Sequence, residues 1–145
     1  MTEPSPEHTR PDGVDDATVE ALGKLSEALE VIEDARGQLY HFHRLIGRGD
    51  LALGRAVDLL RDAGHTDLAE RIQRELVGRN VIRDRWTFQI VEDFDDGYYA
   101  TFRALDQEAR DQLVAGRRHL YEAEMKEQRR THGHPEHTAR PADEN

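Results

Sequence analysis

The sequence predicts an all-α protein, either a helical bundle or a long antiparallel helical hairpin with two short helices between its arms. Three observations carry this reading. Apolar residues recur at alternating steps of three and four from Leu22 through Leu25, Leu29 and Ile32 to Leu39 and Ile46, which lines one face of a helix. A second row, spaced mostly by four, runs from Ile82 through Trp86, Ile90, Phe94, Tyr98 and Phe102 to Leu105. Only residues 86–91 read as either helix or strand, and a lone strand there has no second alternating segment to pair with. We take that stretch as helix.

The first helix is expected to begin near Asp15, Asp16 or Thr18, all good N-caps. GRGD at 47–50 reads as a turn, with Asp50 capping a short helix over 51–62. Gly64 marks a stop, and Thr66 or Asp67 a restart, with Asp67 and Glu70 at capping-box spacing. The next helix carries Leu68, Ile72, Glu75, Leu76 and Arg79 in two neighbouring rows and ends around Gly78 to Asn80. The last runs from Trp86 to about Arg130, with Gly97 marking a kink or break. Ala109, Gly116 and Ala123 are small enough for it to lie close against the first helix, antiparallel to it.

Residues 14–130 are expected to form a single helical domain, flanked by a disordered tail over 1–13 and a disordered, His-containing tail over 131–145. The middle holds nearly all of the Leu, Ile, Val and Phe, and the ends bury too little surface to offset the entropy of ordering. A net charge of −10 argues against nucleic acid, whose phosphates need clustered positive charge, and against an anionic membrane surface. No apolar run approaches the ~20 residues of a membrane helix, and the N-terminus lacks the pattern of a signal peptide. A cytoplasmic location is expected. Cysteine is absent, which excludes disulfides and thiolate metal sites.

Arg36 and His43 fall where the first helix should continue its apolar face, and they share a stripe with Glu33 and Tyr40. A buried cation needs an acid partner, and Glu92, Asp95 and Asp96 are available from the facing helix. Two readings follow: a salt-bridge and hydrogen-bond network that fixes helix register, or a small polar pocket that binds a ligand or ion. No Glu-x-x-His occurs, so a di-iron bundle centre is not expected, and no cofactor is. His132, His134 and His137 are weak candidates for loose metal uptake by the tail. Neither serine, Ser5 or Ser26, sits in a nucleophile elbow, and no phosphate-cradling glycine loop appears. An enzyme is not expected.

Six of the nine aromatic residues lie between Trp86 and Phe102: Trp86, Phe88, Phe94, Tyr98, Tyr99 and Phe102. On a helix Trp86, Phe94, Tyr98 and Phe102 share one face, while Phe88 and Tyr99 point elsewhere. A unit this small does not easily wrap both faces. One face is therefore read as monomer core and the other as a homodimer seam rimmed by Gln89 and Glu92; the competing arrangement folds helix 51–62 or 67–79 over the second face. The blocks RGQLYHFHRLIGRGD (36–50), ELVGRNVIRDRWTFQIVEDFDDGYY (75–99) and GRRHLYEAEMKEQRR (116–130) resemble a small helical family of high-GC bacteria with no activity attached to it. Eighteen arginines against two lysines fit high-GC coding. The expected function is a non-enzymatic interaction or regulatory module, self-associating as a homodimer and open to an unidentified protein partner. The alternative is a helical bundle that binds a small ligand or metal at the polar stripe.

Overall fold

A computed structural model describes residues 3–144. The chain is all-α. Helix α1 spans Asp16–Asp62, α2 Thr66–Glu75 and α3 Thr87–Phe94. A π-helical segment, Asp95–Tyr99, joins α3 to α4 (Ala100–Val114), and α5 covers Leu120–Arg129. Short 3₁₀ turns lie at Pro6–His8 and Ala142–Glu144. Among the described residues there is no strand, and Ile82 with Arg85 forms a single bridge in a tight turn. No described helix is long and apolar enough to cross a membrane.

Asp15 starts α1 by accepting the Thr18 backbone N–H at 2.9 Å, which satisfies one of the donors a helix start leaves open. Hydrogen bonds from the Thr18 side chain and backbone hold the Asp15 carboxyl below its ordinary value. The helix then continues for 47 residues, straight through GRGD. The expected turn at 47–50 is absent because glycine only weakens a helix, by about 1 kcal/mol each, whereas proline would stop it. Asp50 caps nothing on its own helix. It accepts the N–H of Gly78 at 3.0 Å, in the turn that follows α2.

Gly64 ends α1 in a Schellman motif: at φ 90° it donates to Arg61 O at 2.9 Å, while His65 donates to Leu60 O at 2.8 Å. The restart is at Thr66, and the expected capping box does not form, because Glu70 instead accepts from Arg61 Nε at 2.9 Å. In α2 the buried residue is Ala69 and Leu68 is exposed, as is Leu76 just beyond its end. At α3, Gln89 Oε1 accepts the Trp86 backbone N–H at 2.7 Å, so Gln89 caps the helix where it was expected to rim a seam. Trp86 has no side-chain acceptor to return the bond.

The helix expected from 86 to 130 is interrupted between α4 and α5. Ala115, Gly116 and His119 all have left-handed φ, at 55°, 74° and 58°, and Gly116 terminates α4 where a close approach was expected within a helix. The close approach sits instead at Gly23 of α1, where an added Cβ would meet the Tyr121 Cβ and Cγ at 3.1 Å.

Two compact units divide the chain, Met1–Val31 with Thr101–Asn145, and Ile32–Ala100, where the sequence suggests one domain. In the first, Val19, Leu22, Val114 and Leu120 form the core, with Val14 and Ala109 packed against it. Arg10 ties the N-terminal segment down by donating twice to Glu124, at 2.7 and 2.9 Å, and once to Asp16 at 2.8 Å. Near the other end Arg140 donates to the carbonyls of Glu3 and Pro4. Both termini, expected to be disordered, therefore carry defined contacts in their described parts; Met1, Thr2 and Asn145 lie outside the described residues.

In the second unit Val57, Ala69, Thr87, Val91 and Tyr99 are buried. This buried row is one residue on from the expected row of Trp86, Ile90, Phe94 and Tyr98. The cause is Asp95: it faces α1 to meet Arg36, and residues four to either side, Val91 and Tyr99, turn inward with it. Tyr98 is consequently 56% exposed.

Candidate functional site

The second unit gathers its polar side chains along one face of α1. Arg36 donates to both Asp95 oxygens, from Nε at 2.7 Å and Nη2 at 3.0 Å. Tyr40, one turn later, donates its hydroxyl to Asp95 Oδ2 at 2.9 Å. The Arg36 guanidinium lies between two rings, 4.7 Å from the centre of Tyr40 and 4.8 Å from that of Tyr99, where the ring faces attract a cation. Tyr99 in turn donates to Glu33 Oε2 at 2.7 Å. One turn beyond Tyr40, His43 Nδ1 and the buried Thr87 hydroxyl share a hydrogen bond of 2.7 Å. The partners run 33, 36, 40, 43 along α1 and 99, 95, 95, 87 along the returning chain, so the two run antiparallel.

The π-helical segment supplies the facing geometry. The Ala100 N–H donates to Asp95 O five residues back, a widened turn that places Asp95 and Tyr99 together on the α1 side. Phe94 stacks on Tyr99 with ring centres 6.2 Å apart and 9° between planes, and lies 5.9 Å from Tyr98.

Electrostatically Arg36 and Asp95 neutralise one another. Hydrogen bonding from Arg36, seconded by Tyr40, holds the Asp95 carboxyl below its ordinary value although partial burial opposes this. The same carboxylate raises the Arg36 and Tyr40 pKa values. A carboxylate accepting three strong hydrogen bonds is a poor base and a poor nucleophile. Chemically the arrangement fixes the register of α1 against the returning chain.

Of the expected polar set, Glu33, Arg36, Tyr40, His43 and Asp95 lie along this face. Glu92 and Asp96 are exposed and stand outside it, and Asp93 pairs with Arg85 at 2.6 Å. Of the expected interface aromatics, Phe88 and Tyr98 are exposed, Tyr99 is buried, and Trp86, Phe94 and Phe102 are half-buried. In the tail, His132 Nε2 lies 2.7 Å from Glu127, and the His134 and His137 rings lie with centres 4.5 Å apart, tilted by 52°. Among the described residues no three His, Asp or Glu side chains are gathered as a bound metal ion needs.

One polar cluster escapes the periodicity. In the first unit Asp106 is 2% exposed, paired with Arg110 at 2.9 Å and accepting from Ser26 Oγ at 3.3 Å. Arg110 Nε is buried with no hydrogen-bond partner among the described residues. It borders a cavity of about 20 Å³ together with Ser26, Gly23 and Leu22, room for about one water. The signal available in the sequence was the i, i+4 spacing of Asp106 and Arg110 with Val114 one turn further on. No family model, curated protein or solved structure matches this chain.

Proposed function

We propose that this chain is a non-enzymatic helical interaction or regulatory module that works by self-association. The observation that carries this is the distribution of apolar surface. Among the described residues eight hydrophobic side chains are buried, whereas fourteen large ones are exposed. In the second unit the exposed set includes Phe42, Leu45, Phe88 and Tyr98. These side chains are about half exposed, so covering the remainder of each stabilises by about 1 kcal/mol, and surfaces of this kind mark sites of association.

The polar face supports the same reading. Its carboxylate and guanidinium satisfy one another, which suits a register lock better than a ligand pocket. A cytoplasmic location belongs to the same proposal, supported by the charge-rich, acidic composition.

Self-association couples folding to concentration, because a dimer is stabilised by mass action and a monomer is not. The thermal midpoint of the full chain should rise as protein concentration is raised. A midpoint independent of concentration would sink the proposal.

A further inference from the structure

Along α1 a second apolar stripe lies beside the core-facing one. Ala35, Phe42, Leu45, Gly49, Ala52 and Ala56 keep steps that sum to alternating fours and threes, with Gln38 filling the remaining position between Ala35 and Phe42. All seven are exposed, and none carries a charge. Spacing of this kind over three heptads is the pattern of a two-helix seam. Its small residues allow close approach, and its two large ones, Phe42 and Leu45, sit together at the centre.

The flanks tell which helix can fill it. On one side lie Leu39, Ile46 and Leu53, which face the unit's own interior. On the other lie Asp34, His41, Arg48 and Arg55, all exposed. Neither Asp34 nor Arg55 has an ion-pair partner among the described residues, although 34% of the chain is charged.

We infer that this face of α1 pairs antiparallel with the same face of a second copy, with Phe42 against Leu45 of that copy at the centre. This rests on the self-association proposed above and names the surface. In that register Ala35 meets Ala52 of the second copy, Gln38 meets Gly49, and Asp34 comes beside Arg55. The ion pair forms twice by symmetry. Sliding the copies by one heptad one way sets Asp34 beside Asp62 and Arg48 beside its own equivalent, both repulsive; sliding the other way sets Asp34 beside Arg48 but puts Phe42 against Gln38 in place of Leu45. A parallel pairing sets Asp34 and Arg55 beside the apolar flank, with no opposite charge. Charge complementarity thus selects the direction, and charge together with the central Phe42–Leu45 contact selects the register.

The test is sedimentation equilibrium on the full chain with a charge-swap series. Leu45→Glu retains a good helix former at an exposed site and should weaken the dimer on the order of 100-fold. Asp34→Arg and Arg55→Asp should each weaken it on the order of tenfold, and the double variant should restore it. Residues 34 and 55 are about 31 Å apart along one helix, so rescue reports contact between copies. A wild-type chain that stays monomeric overturns this inference and the self-association beneath it. A dimer indifferent to Leu45→Glu leaves self-association standing and overturns this seam. A dimer sensitive to Leu45→Glu whose charge swaps fail to rescue one another overturns the antiparallel register.

Discussion

Arg36 and Asp95 meet across the second unit in a two-pronged ion pair, at 2.7 and 3.0 Å, with the Tyr40 hydroxyl completing the carboxylate's shell at 2.9 Å. The pair is partly shielded, with side chains 34% and 22% exposed, so its loss falls between the surface and fully buried limits. Arg36→Met should cost about 1–3 kcal/mol of unfolding free energy by denaturant titration, because Asp95 loses both charge-assisted bonds. Arg36→Lys should recover only part, since an ammonium cannot make the planar fork or stack between two rings.

The same pair gives a signed pH dependence. The folded Asp95 carboxyl titrates below its unfolded counterpart. Its contribution is therefore complete above the unfolded value, near 4, and is lost as pH falls through the folded value. The stability of wild type should fall on acidification below pH ~4 more steeply than that of Asp95→Asn, read from chemical denaturation at successive pH values. Glu127 behaves likewise at the C-terminal end: hydrogen bonds from Arg130, then His132, lower it to about 2. Carboxyl NMR should find it still ionised at pH 3.

The polar face and the first helix were largely legible in the sequence. Arg36 and His43 interrupt an otherwise apolar heptad pattern, and interruption of a buried face requires partners, which points to the acids of 92–96. The spacing alone leaves open which acid answers. Asp95 does so because the π-helical turn adds a residue, and hydrogen-bond widening of that kind has no periodic signature. The neighbouring errors share this origin: bulk and aromaticity point to Tyr98, Leu105 and Leu113, whereas the ion pair turns Tyr99 inward and Asp106 and Val114 are buried. GRGD reads as a turn because glycine is common in turns, yet a helix anchored on both sides tolerates it.

Asp106 carries the largest single stability expected of a polar residue in the first unit. Its side chain is 3% exposed against 16% for Arg110. Asp106→Ala leaves a largely buried guanidinium without its counter-charge and should cost about 3–5 kcal/mol by thermal or chemical unfolding. The replacement Ser26→Ala removes only a long hydrogen bond and should cost about 1 kcal/mol or less.

Glycine positions separate by backbone geometry. Gly116 has φ 74°, and a Cβ there would come 2.9 Å from Asp111 Oδ1. Gly116→Ala should destabilise by about 1–2 kcal/mol. Gly37, inside α1 with nothing within 4 Å of an added Cβ, should stabilise on replacement by alanine, by about 0.5–1 kcal/mol. Paired melting curves of the two variants check both signs at once.

The most direct measurement is the solution mass of the full chain by sedimentation equilibrium, from dilute to concentrated protein. Exposed Phe42, Leu45, Phe88 and Tyr98 in so small a unit predict a mass that climbs from one chain toward two. A single-chain mass at every concentration would contradict self-association and leave those side chains facing water.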